Sequence, residues 1–444
     1  MYATEAFGPF FSTVKAGPLP VEVLHHAKRA LIDWHAALYP GLDTEAIQRL
    51  RGALEEEFGR GNATLPGGQH VTARVAALLN GAAAHAAEID DSFRDAMYHP
   101  GAPTIAAAIA AAQDAGATGE LLLKGIVVGY EVSTRIGVVL GRAHYRYWHN
   151  TATVGTFGAA AAAAFIYGAT EEQLAHALAT AATFAAGLQQ AFRMDSMSKP
   201  LHVGRAAEGG VLAARAAVAG ITGSLDVLDG ETGLGRAMSD GPEWGALATT
   251  LGKDFHICRL TFKNHIGCGH TFAAIDGALA LKAKLGIDTS QIRRIHVATY
   301  RPALEIACYL DPRTENEAKF SLKYIVATAL VHGSVRLSAY TPERLRDVET
   351  RRLMDCMTIE IDAEIDGWFP GKRAARVEIE TLDGARADYL QPNRKGDPED
   401  PLSDADLDGK LMELASPIVG VDAARRLAGR IWHVESESIR ELFA

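Results

Sequence analysis

Apolar positions along this chain recur with two different rhythms. Up to about residue 260 they follow helical spacing in alanine-rich runs such as TARVAALLNGAAAHAAEI, PTIAAAIAAAQDAGATG and EEQLAHALATAATFAAGLQQAF. Small residues on many faces of these runs predict closely packed helices. AVAGITG and DAGATG read as glycine C-caps, and GATEEQL and TGELLL as capped starts with acids in the first turn. After residue 290 the period shortens to two, in QIRRIHVATY, MTIEIDAEI and ARVEIETLDGARADYL. These are predicted strands, and Asp383-Gly384 is a hairpin signal between the last two. HTFAAIDGALALKAKLG and AKFSLKYIVATALVHG are helical stretches in the same region, which makes it α+β. Beyond DPEDPLSDADL the pattern is helical again, and this tail is expected to rejoin the first domain. The predicted fold is therefore two-domain: a large all-α helical domain of residues 1–267 and 401–444, and a smaller α+β domain of residues 268–400.

A chain of 444 residues exceeds one hydrophobic core, in agreement with that division. A net charge of −10 argues against a general nucleic-acid or anionic-membrane surface, so an anionic ligand must find a local cationic pocket. Cys258, Cys268, Cys308 and Cys356 form no CxxC pair, so reduced thiols in a cytoplasm are expected rather than a disulfide framework. The start MYATEAFGPFFSTVKAG has no basic, apolar and small-residue succession, and no secretory signal is expected. ATVGTFGAAAAAAFIYGA is too weakly hydrophobic for a membrane span and reads as a buried helix.

Reactive side chains gather in three loop-like places. In AAEIDDSFRDAMYHPGAPT, the carboxylates Glu88, Asp90, Asp91 and Asp95 read as a salt-bridged or solvated turn more than a metal site, and His99 is held before a Pro-Gly turn. In AHYRYWHNTATVGTFG, Asn150 or Thr151 caps a helix and leaves His149 beside an N-terminus whose amides attract a carboxylate. His144, Tyr145 and Arg146 upstream either add donors to that place or pack inward as a short aromatic segment. In DSMSKPLHVGRAAEGGVLAA, Pro200 suits the first helical position and puts Lys199 at the cap, where helix field and desolvation favour a neutral amine that can act as a base. The plain alternative is a surface lysine before a proline. The glycine runs GTFG and GLGRAMSDG follow no clear strand and no GK[ST] occurs, so no nucleotide cofactor is expected. His265 and His270 flank Cys268 at no zinc spacing, so no metal is expected.

In this order, HAAEIDDS with YHPG, HYRYWHNTATVGTFGAAAAAA, SKPLHVGRAAEGGVLAA, FKNHIGCGHTFAAIDGAL and AKFSLKYIVATALVHG make nearly the whole chain resemble the MmgE/PrpD family. The resemblance implies a helical domain with a smaller lid-like α/β domain, a homodimer, and chemistry beside a carboxylate of a small polycarboxylate without metal or organic cofactor. By motif match it implies pocket residues Asp91, Ser92, His99, His149, Lys199, Lys263 and Tyr324. Glu88 stands where an aspartate is usual, one extra residue separates Ser92 from His99, and Tyr147 replaces a small glycine before Trp148. Within the family the chain looks most like the iminodisuccinate epimerase branch. The implied activity is a cofactor-independent epimerase of an amino-polycarboxylate. Lys199 and Tyr145 would serve opposite faces, while His99, His149 and Lys263 would hold carboxylates and stabilise an enolate-like intermediate. The alternative is a 2-methylcitrate-type dehydratase or a cis-aconitate-type decarboxylase. An idle scaffold, or a nucleic-acid binder stacking bases on HYRYWH, is the non-enzymatic alternative, and the acidic charge opposes the latter.

Overall fold

The computed structural model describes residues 2–192, 194 and 196–442; Met1, Arg193, Phe443, Ala444 and Asp195, the first residue of DSMSKPLHVG, lie outside the described residues. The chain forms two compact units, one running to Thr261 and resuming at Ser403, the other spanning Phe262–Leu402. These limits fall six residues before and two after those expected at 267/268 and 400/401. The backbone explains the first: Thr261 exchanges both amide hydrogen bonds with Ser92 at 2.9 Å, whereas Phe262 N–H donates to the Gly396 carbonyl at 3.0 Å.

The first unit is helical. Its principal elements are α1 (Val21–Leu42), α2 (Ala73–Ala86), α3 (Gly101–Ala115), α4 (Gly119–Tyr145), α5 (Asn150–Ile166), α6 (Glu171–Phe184) and α7 (Ser198–Val218). Every residue of α5 is buried, because α3, α4, α6 and α7 pack around it. Its alanines and glycines permit that crowding: a Cβ on Gly155 would stand 2.5 Å from Pro103, and one on Gly210 of α7 would stand 2.4 Å from Ala159. Larger residues at such contacts typically cost about 1–3 kcal/mol through forced shifts. Thr72, Thr118 and Thr170 cap α2, α4 and α6 through their hydroxyls, as the capping pattern leads one to expect.

Helix α6 is shorter than its apolar run predicts. It stops at Phe184, since Ala185 turns extended and Gly187 adopts φ 130°, and its carbonyl accepts from His149 N–H at 3.0 Å. The returning helix Asp404–Val419 is capped by Ser403 and packs on α1. It buries Lys410, whose ammonium meets Asp33 at 2.6 Å and the Ile89 carbonyl at 2.8 Å.

The second unit holds a four-stranded mixed sheet: β1 (Ile292–Thr299), β2 (Met357–Ile361), β3 (Ala375–Thr381) and β4 (Arg386–Gln391), in spatial order β2-β1-β3-β4. β1 runs parallel to β2, with Ile295 opposite Met357, and antiparallel to β3, with Val297 opposite Val377. β3 and β4 form the hairpin expected at Asp383-Gly384, with Gly384 at φ 89°. α8 (Phe272–Leu285) packs on β3 and β4. The AKFSLKYIVATALVHG run is divided: a short helix ends at Lys319, and Ser321 caps α9 (Leu322–His332) by accepting from Tyr324 N–H. Among the described residues no helix is long and apolar enough to cross a membrane.

Candidate functional site

Three helix starts meet in the helical unit. α3 opens at Gly101, two residues after His99; α5 opens at Asn150, directly after His149; and Lys199 lies in the first turn of α7. His85, in the last turn of α2, completes the group. The rings show the convergence: His85 lies 5.1 Å from His99 and 5.5 Å from His149, and His149 lies 5.5 Å from His202 of α7. Free amides and aligned peptide dipoles at each start place partial positive charge there.

The loop from Ala87 to Pro100 supplies the acids. Glu88 adopts φ 59°, a left-handed conformation costing a non-glycine residue about 1 kcal/mol, and forms an ion pair with Lys199. Asp90 bonds His85 Nδ1 at 2.7 Å. His99 Nδ1–H donates to the Asp91 carbonyl at 2.6 Å, and His99 N–H donates to Thr151 Oγ1 at 3.2 Å, which ties this loop to α5. The Asp91 carboxyl accepts from Gly101 N–H at 2.9 Å and Tyr130 O–H at 2.8 Å. Burial, reinforced by the charge of Asp33, pushes its pKa up to about 8, so it is mostly protonated at neutral pH.

The imidazole of His149 is held well below the ordinary histidine range, first by burial and then by the charges of His85, Lys199, His202 and His99. His202 is lowered as well, chiefly by burial, and its Nδ1 lies 3.3 Å from Nδ1 of His149. Three polar atoms here are buried without a hydrogen-bond partner: Ser92 Oγ, His85 Nε2 and Asn150 Oδ1. The result is a cluster of imidazoles, an amine paired with a carboxylate, and helix amides, groups of the kind that bind an anion carrying several carboxylates. Among the described residues no three His, Cys, Asp or Glu side chains are arranged to hold a metal ion.

The residues singled out from sequence separate in this geometry. Lys199, His149 and His99 converge, with Ser92 in the adjoining loop. Tyr145 is the half-buried last residue of α4. Four expectations are corrected. Lys199 is not the cap, because the helix begins two residues earlier than expected, at Ser198, with Met197 as N-cap; and its amine meets the Glu88 carboxylate. Asp91 does not present its carboxyl to a ligand, since both oxygens brace the start of α3 and Tyr130. Tyr324, in the second unit with Lys263, spends its hydroxyl on the Ala339 carbonyl. For His144 the packing alternative holds without correction: it bonds Met238 O at 3.0 Å and Thr153 Oγ1 at 2.7 Å and stacks on Trp148. The N-cap of α5 is His149 itself, with Asn150 instead bonding the Ala96 carbonyl at 2.8 Å.

Sequence reasoning passed over His85 and His202, and read Asp90 only as part of a salt-bridged or solvated turn. A signal for His202 was available, since Lys199 and His202 are three apart and share one side of α7. The pairing of His85 with Asp90 carried none, because it depends on how the loop leaves α2.

Comparison with known proteins adds a consistent picture. Residues 5–247 match the MmgE/PrpD N-terminal domain and residues 265–434 the MmgE/PrpD C-terminal domain. The chain is 28% identical to the cis-aconitate decarboxylase-like protein oryM of Aspergillus oryzae, over 97% of this chain and 94% of that protein. It is 26% identical to human cis-aconitate decarboxylase, with 97% and 92% covered, and 24% identical to that of Aspergillus terreus, with 84% and 81% covered.

Proposed function

This chain belongs to the MmgE/PrpD family, and from that premise we propose that its helical unit binds a small polycarboxylate and acts as a lyase, decarboxylating cis-aconitate or a close analogue. The observation that carries the reading is the convergence of Lys199, His99 and His149 on the starts of α7, α3 and α5. The relatives named above are decarboxylases and a decarboxylase-like protein, which favours carbon dioxide loss over the epimerisation expected from the sequence.

Decarboxylation breaks one carbon–carbon bond. The electron pair left behind spreads into the neighbouring unsaturated acid and is quenched by a proton. The helix start of α5 receives a retained carboxylate, where preorganised amides stabilise developing charge without reorganisation. His149, neutral and buried, hydrogen-bonds a carboxylate oxygen or the enolate-like intermediate. Lys199, held by Glu88, delivers the proton. Ser92 Oγ is a further donor with its capacity unspent. The roles of Tyr145 and Lys263, and assembly as a homodimer, extend the proposal on resemblance alone.

The test is incubation with cis-aconitate in deuterium oxide, following released carbon dioxide and the product by NMR. One deuteron should enter the product for each carbon dioxide lost. Lys199→Ala should lower the rate at least about 10²-fold, the scale of a lost acid–base group, in a protein whose circular dichroism still shows the native helix content. No turnover of cis-aconitate, together with water loss from 2-methylcitrate or inversion of single iminodisuccinate stereoisomers, would replace the decarboxylase by the dehydratase or the epimerase.

A further inference from the structure

His149 meets a second imidazole nitrogen to nitrogen. Nδ1 of His202, in the second turn of α7, lies 3.3 Å from Nδ1 of His149, with the ring centroids 5.5 Å apart and the planes tilted by 53°. The backbone fixes this approach as well. His149 N–H donates to the Gly187 carbonyl at 3.0 Å, and Gly187 lies against the His202 ring: a Cβ there would stand 3.2 Å from its Nδ1 and 2.9 Å from Ala152. At φ 130° that position favours glycine in any case. Two facing Nδ1 atoms attract only when one carries a hydrogen and the other a lone pair, since two lone pairs repel and two hydrogens clash. Burial keeps the His149 ring neutral, so it has a single ring hydrogen, on Nδ1 or on Nε2. Its partner decides which nitrogen holds it. The site sets another ring in this way: the Asp91 carbonyl can only accept, so His99 carries a hydrogen on Nδ1.

We propose that His202 is a positioning residue for the carboxylate-binding histidine: its Nδ1–H donates to Nδ1 of His149 and holds that ring in the tautomer with its hydrogen on Nε2. The proposal rests on the polycarboxylate reading above. A carboxylate only accepts, so the His149 nitrogen that meets the ligand must carry the hydrogen, and Nδ1 is left as an acceptor. In the opposite arrangement His149 donates to His202 and turns a lone pair toward the ligand oxygens, which repels them. The direction does not depend on the charge of His202, because an imidazolium donates from Nδ1 as a neutral ring can. His149 is 3% exposed, so solvent offers no ready substitute for the His202 donor, and a bare Nδ1 in that place is costly.

Nitrogen NMR of histidine-labelled protein distinguishes a ring protonated on Nε2 from one protonated on Nδ1, and His149→Gln identifies the signals. In wild type, His149 should carry its hydrogen on Nε2. His202→Phe keeps an aromatic ring but removes the donor. It should leave His149 in a mixture of tautomers and weaken binding of tricarballylate, a saturated tricarboxylate, about tenfold, a loss of about 1.4 kcal/mol. His202→Asn puts an amide donor near the place of Nδ1 and should restore the tautomer and most of the affinity, which a role in packing alone would not produce. A wild-type His149 with its hydrogen on Nδ1 overturns the proposal before any variant is made. An unchanged tautomer or an unchanged affinity in His202→Phe overturns it too. Each of these results leaves the polycarboxylate reading standing when wild type binds tricarballylate. Absence of any polycarboxylate binding by wild type removes that reading and this proposal together.

Discussion

Each unit of the molecule buries a cluster of charge, and the two clusters are built on opposite terms. In the second unit Arg394 is 1% exposed and Asp397 is fully buried. The guanidinium donates to the Asp397 carboxylate from Nε at 3.2 and 3.1 Å and to the Gly269 carbonyl from Nη1 at 3.3 Å, while the Arg394 amide adds a bond to Asp397 at 3.0 Å. Its bonding is turned inward. In the helical unit, the cluster of Glu88, Asp90, Asp91, Lys199 and four histidines leaves Ser92 Oγ and His85 Nε2 unpaired, holds Glu88 in a strained conformation and keeps Asp91 protonated. A buried polar network that closes on itself is architecture, whereas one left incomplete at a cost in stability keeps hydrogen-bonding capacity to spare.

That contrast can be broken from the closed side. Arg394→Met strands the Asp397 carboxylate, and removing one partner of a buried pair costs about 3–5 kcal/mol. Chemical denaturation should show a loss of that size in the Phe262–Leu402 unit, and a loss below about 1 kcal/mol, the worth of an exposed pair, would show that this network does not brace the unit.

On the open side, Asp91 makes stability depend on pH. Its folded pKa of about 8 stands above the unfolded value near 3.8. The native state therefore holds a proton that the unfolded state releases. The contribution is fully present below the unfolded pKa and falls by about 1.4 kcal/mol per pH unit as pH rises toward the folded pKa. Asp91→Asn mimics the protonated carboxyl and should flatten that slope between pH 5 and pH 8, measured by denaturant unfolding across the range. An unchanged slope would mean the carboxyl is ionised in the folded protein.

The smallest effect sharpens the comparison within α4 and α5. Burial lowers His144 to a pKa of about 4, and both ring nitrogens are bonded, so it behaves as a neutral core group. His144→Gln should cost about 1 kcal/mol of stability, the net worth of a buried hydrogen bond, and leave turnover unaltered. A large loss of turnover without unfolding would return His144 to the site.

Much of this was readable in the residues. The two rhythms of apolar spacing separate the helical unit from the sheet-bearing one, and the alternation in QIRRIHVATY and ARVEIETLDGARADYL marks β1, β3 and β4. The helix α6 was overextended because Ala185–Phe192 keeps an apolar composition, while the stop comes from the Gly187 backbone and its bond to His149, which lie far apart in sequence. Among candidate residues, His99 and His149 each sit beside a legible helix start, and Lys199 lies in the first turn of a helix that starts two residues earlier than its Pro200 suggests. Tyr324 and Asp91 were misjudged for one shared reason: a polar residue inside a motif looks available until its partner is seen.

Local physics runs along the chain, so the sequence by itself determined the element types, the hairpin at Asp383-Gly384, the capped helix starts and the excess of small residues that lets α5 be enclosed on all sides. Partnership runs through space. That Glu88 meets Lys199 across 111 residues, that Asp33 meets Lys410 across 377, and that Asp90 binds one nitrogen of His85 while the other stays empty follow from how the helices pack. Only the tertiary structure decided them, because the energy of a buried charge is set by the groups around it and no spacing along the chain specifies those groups.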